Sequence, residues 1–176
     1  NNIGIRACYD EGKRIAETLC FDFNRVHNVN IKVARIFNTY GPRMLPNDGR
    51  VISNFIVQCL KNQSITIYGD GSQTRSFCYI DDMIKGLFDL MDSNYQEPIN
   101  LGSTEEYRIS ELAERIREKT NSQSQLIKTE LPDNDPQRRR PNVELAIEKL
   151  NWQSSTSLDE GLDKTIKFFK KTFDKS

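Results

Sequence analysis

No glycine-rich turn of the G-x-x-G-x-x-G or G-x-G-x-x-G kind occurs among the nine glycines of this 176-residue chain. It therefore lacks the backbone cradle with which a strand-turn-helix unit holds a dinucleotide pyrophosphate. A net charge is missing too, since 25 basic residues balance 25 acidic ones. Binding a nucleic acid backbone needs a basic excess on one face, and the only basic cluster, Arg138-Arg139-Arg140, is too short to supply it. No nucleic acid partner is expected. Cysteine is scarce: Cys8, Cys20, Cys59 and Cys78 show no C-x-x-C spacing, and His27 is the single histidine. That argues against zinc or any other metal site and fits reduced thiols in a cytoplasmic setting. No apolar run approaches the ~20 residues that span a bilayer, so no membrane segment is expected in this stretch.

What is present suffices for one domain of ordinary size with a core. Periodicity predicts a helix from Arg6 to Val26 with Ile15, Leu19, Phe23 and Val26 on one face, then a buried strand over Ile31 to Phe37. A loop through Pro42, Pro46 and Gly49 leads to a helix over Val51 to Leu60, a short strand over Ser64 to Tyr68, and a tight turn at Gly69-Asp70-Gly71-Ser72. Arg75 to Ile80 reads as a returning strand, and Asp81-Asp82 as N-cap and first-turn carboxylates of a helix to Met91. Further strands are expected at Pro98 to Leu101 and Leu126-Ile127. Further helices are expected from Ser110, from an Asn142 cap through Leu150, and over Leu158 to Phe173. The pattern is α/β.

Chemistry enters at Tyr9 and Lys13, four residues apart and hence on one helical face. An ammonium so placed stabilises the phenolate and turns a weak acid into a general base. Tyr and Lys at this spacing also occur on plain solvated helices, so the pair needs support from elsewhere in the chain. Support comes from Asn38-Thr39-Tyr40-Gly41-Pro42-Arg43 behind the strand, Asp48-Gly49-Arg50-Val51-Ile52-Ser53-Asn54-Phe55, Tyr68-Gly69-Asp70-Gly71-Ser72-Gln73-Thr74-Arg75-Ser76-Phe77, and Asp135-Pro136-Gln137-Arg138-Arg139-Arg140-Pro141.

Together these blocks closely resemble the UDP-glucuronate decarboxylases (UDP-xylose synthases) of the extended short-chain dehydrogenase/reductase family, from about Gly4 to Phe173. The resemblance implies the C-terminal half of that fold: the end of a Rossmann sheet plus a substrate-binding subdomain. Residues 1–47 would be a Rossmann remnant carrying the Tyr-x-x-x-Lys helix, and residues 48–176 a nucleotide-sugar-binding region interleaved with late Rossmann elements. The glycine-rich half would lie outside this chain, together with the catalytic Ser/Thr and acidic partners, and would come from a longer chain or a separate N-terminal partner. Alone, this half is expected to be inactive. The resemblance further implies NAD as cofactor, a homodimer through the Tyr9 helix, and cytoplasmic residence, with Golgi anchoring as the alternative where an N-terminal anchor exists.

Site residues follow from position and from the resemblance. Tyr9 and Lys13 are the catalytic pair, and both also touch the cofactor. Asn38 and Thr39 stand at a strand's C-terminal end, where α/β sheets present ligand loops; the resemblance gives Asn38 to the nucleotide-sugar and Thr39 to the cofactor. Arg50 sits at a helix N-terminus, where positive charge is disfavoured, so a sugar carboxylate, a diphosphate or the cofactor is its expected partner. Ser53, Tyr68, Gln73, Arg75 and one of Arg138, Arg139 and Arg140, with Arg138 preferred, complete the substrate side, the arginines because a planar fork suits phosphate. A solvated β-hairpin remains the plainer account of the Tyr68 to Arg75 block.

The implied reaction is a closed redox cycle from UDP-glucuronate through a 4-keto sugar to UDP-xylose and carbon dioxide. A nucleotide-sugar 4,6-dehydratase or 4-epimerase would share Tyr9, Lys13 and the Gly41-Pro42 turn. A non-catalytic nucleotide-sugar-binding or partner-pairing module is the third reading.

Overall fold

The computed structural model describes Gly4, residues 7–131 and residues 137–174. Helix α1 spans Ala7–His27, and its predicted stripe of Ile15, Leu19, Phe23 and Val26 is at least half exposed; no residue of this helix is buried. A bidentate pair fastens it to the next strand, Arg35 Nε and Nη2 donating to the two Glu17 carboxylate oxygens at 2.7 Å. That strand, β1, is shorter and more open than the apolar run predicts. It covers only Ala34–Ile36, and Ile36 is 56% exposed. The cause is its pairing, because among the described residues β1 has one strand neighbour, the parallel β6 (Ile99–Leu101).

Beyond a two-residue break, β2 (Thr39–Tyr40) pairs in parallel with β5 (Cys78–Tyr79). Segments before and after residue 47 thus share both sheets. The loop through Pro42 and Gly49 enters α2 (Val51–Leu60), which buries Ile52, Phe55 and Ile56. Strand β3 (Ile65–Tyr68) runs into Gly69 and Gly71, whose φ of 68° and 81° explains glycine at both. The Asp70 carboxylate closes this turn by accepting from the Ser72 backbone N–H and hydroxyl.

The returning strand differs from expectation. The chain after the turn divides into β4 (Thr74–Ser76) and β5, and neither pairs with β3, which instead lies parallel to β8 (Leu126–Thr129). Strand β4 is the centre of a separate sheet, antiparallel to β7 (Glu106–Arg108) and parallel to β9 (Arg138–Arg139). Two-residue strands such as β9 leave too little alternation to be read from sequence.

Helix α3 (Ile80–Asp92) carries Asp81 and Asp82 in its first turn, with Tyr79 at the cap position. Asp82 serves a distant loop rather than its own helix: its carboxylate accepts from the backbone N–H groups of Ser155 and Thr156 at 3.1 and 2.8 Å. Its carbonyl accepts from the Trp152 indole at 2.9 Å. Helices α4 (Ile109–Thr120) and α5 (Glu144–Leu150) end on Asn121 and Asn151 in the left-handed conformation that asparagine tolerates. Asn142 does support α5, its side chain accepting from the Glu144 N–H at 2.9 Å. Helix α6 (Leu158–Phe173) packs Leu162, Ile166 and Phe169 against α2 and α4 in the larger core, and Trp152 centres a smaller one under α3 and β6. Among the described residues no helix is long and apolar enough to cross a membrane, and no cluster of metal-ligating side chains is present.

Candidate active site

Strand ends and the N-terminal turns of two helices converge on a cavity of about 940 Å³, within the range of small-molecule sites. The β1 to β2 segment contributes Asn38 and Thr39, α2 contributes Arg50 and Asn54 from its first turns, and α1 contributes Tyr9. Thr66 and Tyr68 of β3, Gln73 and Arg75 around β4, and Arg139 of β9 complete the lining. Three arginines and no carboxylate line this space among the described residues. Such a wall suits an anionic ligand.

The fold fixes most of these groups through backbone carbonyls. Asn38 donates to the Ser76 carbonyl at 3.3 Å, Thr39 to that of Phe37 at 2.8 Å, and Gln73 to that of Tyr68 at 2.7 Å. Arg75, only 7% exposed, donates to the Thr74 carbonyl at 2.7 Å. Arg50 lies at the α2 N-terminus as expected. Its charge conflict with the helix is eased by Asp48, which approaches the guanidinium at 3.4 Å and accepts from the Arg50 backbone N–H at 3.0 Å. Asp48 also accepts from the Ser53 hydroxyl.

Three expected site residues stand apart from the cavity wall. Ser53 is fully buried and spends its hydroxyl on Asp48 and the Arg50 carbonyl. Lys13 lies beside Tyr9, its ammonium 5.5 Å from the ring centroid, rather than on the wall. Arg138 turns outward into a fork with Glu106, donating from Nε at 2.8 and 3.0 Å and from Nη2 to the same carboxylate. That guanidinium holds the Glu106 carboxyl down at about 2. Strand alternation then points Arg139, which the sequence did not single out, to the cavity. The Asp135-Pro136 part of the fourth motif lies outside the described residues.

The three tyrosines on the wall differ in exposure. Tyr40 is buried, donates to the Leu158 carbonyl at 3.3 Å, and has its acidity suppressed by burial. Tyr9 is 63% exposed and has the Lys13 ammonium over its ring. Tyr68, the third tyrosine of the wall, is about half exposed.

The sequence pattern of the NAD dependent epimerase/dehydratase family matches residues 1–102, more than half of the chain. The chain belongs to this family. It is 50% identical over 169 residues to UDP-glucuronic acid decarboxylase 1 of Danio rerio, covering 96% of this chain and 40% of that one. It is likewise 50% identical over 162 residues to UDP-glucuronic acid decarboxylase 3 of Arabidopsis thaliana, covering 92% and 47%. Among solved structures it superposes on an epimerase from Methanothermobacter thermautotrophicus with a TM-score of 0.92 and 28% identity, over 98% of this chain and 52% of that one. The UDP-glucuronic acid 4-epimerase of Bacillus cereus, in complex with UDP-glucuronic acid and NAD, matches with a TM-score of 0.81 and 27% identity, over 89% and 50%. The chain thus spans about half the length, or somewhat less, of the proteins it matches, and its α/β fold is that of NAD-dependent extended short-chain dehydrogenase/reductase proteins.

Proposed function

We propose that the complete protein is a UDP-glucuronate decarboxylase, producing UDP-xylose and carbon dioxide, and that this chain supplies its nucleotide-sugar side and its general base. The observation that carries the reading is the pairing of Arg75 with Arg139 in register across the parallel β4 and β9 strands, both on the cavity wall. A diphosphate offers each of these guanidinium forks a pair of oxygens.

The residues present also fit a nicotinamide cofactor. Tyr9, Thr39 and Arg50 line the cavity, Arg50 donating to the Thr39 carbonyl at 3.4 Å and Lys13 lying beside Tyr9, and they would hold its nicotinamide end. The chemistry that NAD would supply there is acceptance of the hydride from the sugar C4 and its later return to C4. The Tyr9 phenolate, steadied by Lys13, removes the C4 hydroxyl proton. A ketone at C4 leaves the carboxylate on C5 in the β position, so the C5–carboxylate bond breaks, carbon dioxide departs and its electron pair forms an enolate. Protonation at C5 and return of the Tyr9 proton to the C4 oxygen complete the pentose. Asn38, Tyr68 and Gln73 contribute to the nucleotide-sugar wall. Ser53 acts through Asp48, holding the α2 terminus that presents Arg50. The open Ile15, Leu19, Phe23, Val26 stripe is the surface on which this reading places the homodimer contact. Cytoplasmic residence belongs to the same proposal.

Epimerases and dehydratases of the family would share Tyr9 and Lys13, so substrate choice is the test. The complete enzyme should turn over UDP-glucuronate and leave dTDP-glucose untouched. Turnover of dTDP-glucose alone would overturn the proposal.

A further inference from the structure

Three consecutive arginines at 138–140 raise a question of aim, because a strand turns successive side chains to opposite faces of its sheet. The β7–β4–β9 sheet answers it. Thr74, Glu106 and Arg138 occupy one face, while Arg75, Tyr107 and Arg139 occupy the other. On the first face the Glu106 carboxylate reaches across the central strand, accepting from the Thr74 hydroxyl at 2.8 Å on β4 and from the Arg138 guanidinium on β9. Glu106 is thus bonded at once to the strand beside its own and to the strand beyond that one. A single exposed ion pair contributes little. This one is a fork with a third hydrogen bond, and the Glu106 side chain is only 18% exposed.

We propose that Glu106 is a positioning residue for Arg139: by fastening Arg138 to Thr74 on the outer face of the sheet, it fixes the register of β9 and keeps Arg139 opposite Arg75 on the cavity face, aimed at the diphosphate. The inference rests on the nucleotide-sugar reading given above. It also accounts for the run of three arginines, in which one guanidinium is spent as an anchor so that its neighbour is delivered to the ligand.

The test uses Glu106→Gln in the complete protein, which keeps the side chain's shape and removes its charge. Calorimetric titration with UDP and with uridine, and hydrogen exchange at the Thr74 amide, which donates to the Gln137 carbonyl at 3.1 Å, are the readouts. UDP affinity should fall about tenfold, the scale of one hydrogen bond to a charged group. Uridine affinity should not change, and the Thr74 amide should exchange faster. The reversed pair, Glu106→Arg with Arg138→Glu, should recover UDP affinity. Adding Glu106→Gln to Arg139→Ala should cost little more than Arg139→Ala alone. Unchanged UDP affinity in Glu106→Gln would overturn the proposal, as would an equal loss for UDP and uridine that the reversed pair fails to repair. If the unaltered protein binds no UDP, the nucleotide-sugar reading fails, and the role of Glu106 is then decided by exchange alone: unchanged exchange at Thr74 overturns it.

Discussion

Arg75 and Arg139 face each other across the β4 and β9 strands, and both line the cavity while Arg138, one residue away, is turned outward and bound to Glu106. The arrangement concentrates positive charge on one wall and neutralises it on the other face of the same sheet. The proposed reading gives that wall the sense of a diphosphate seat.

Replacing the Arg75 guanidinium by an ammonium tests that sense. Arg75→Lys keeps the charge and loses the planar fork, so UDP affinity in the complete protein should fall by about 1.5–3 kcal/mol, or roughly ten- to a hundredfold. Isothermal titration reads this directly. Equal affinity for UDP in the variant would remove Arg75 from the diphosphate site.

Tyr9→Phe separates proton transfer from binding. Turnover by the complete enzyme should drop by about 10²–10⁴, while UDP affinity should stay within about twofold, the ordinary reach of a change within ±0.5 kcal/mol. A variant that keeps its rate would assign the base elsewhere.

Acidity should act on Glu106 in a defined direction. The Arg138 guanidinium, with help from the Thr74 hydroxyl, lowers its carboxyl from 4.5 to about 2. A group whose folded value is depressed contributes stability above its unfolded value and loses that contribution as pH falls through its folded one. The melting temperature of the unaltered protein should therefore exceed that of Glu106→Gln by a constant margin from pH 7 to about 5. The margin should then shrink between 4.5 and about 2. A margin independent of pH across that window would contradict the pairing.

Packing under α3 offers a stability test remote from the site. A Cβ added at Gly86 would stand 2.7 Å from Trp152 Cε2 and 2.9 Å from its Nε1, and this indole is fixed by its bond to the Asp82 carbonyl. Gly86→Ala should destabilise by about 1–3 kcal/mol through overpacking, read by denaturant unfolding. Unchanged stability would mean that the ring can move aside.

These particulars show how far residues alone carry the reading. Helices were legible because their periods are long and their faces apolar: the spans of α2 and α6 in the structure are those the pattern predicts. The convergence of Tyr9, Asn38, Thr39, Arg50, Tyr68, Gln73 and Arg75 on one cavity was legible through four separated motifs. Pairing was not. The Gly69 to Ser72 turn suggests a hairpin, yet β3 lies beside β8, some sixty residues on, because pairing is decided by tertiary packing that no local pattern encodes. Which of the three consecutive arginines lines the cavity was not legible either, for the same reason. Only the register of β9 and the reach of Glu106 decide that Arg139 turns inward.

The most direct measurement follows the carboxyl carbon of the proposed substrate. UDP-glucuronate labelled with ¹³C at that carbon, incubated with the complete enzyme and NAD, should release the label as carbon dioxide or bicarbonate, one equivalent for each UDP-pentose formed, in the ¹³C NMR spectrum. Retention of the label in a UDP-hexuronate inverted at C4 would contradict the account and make the protein an epimerase.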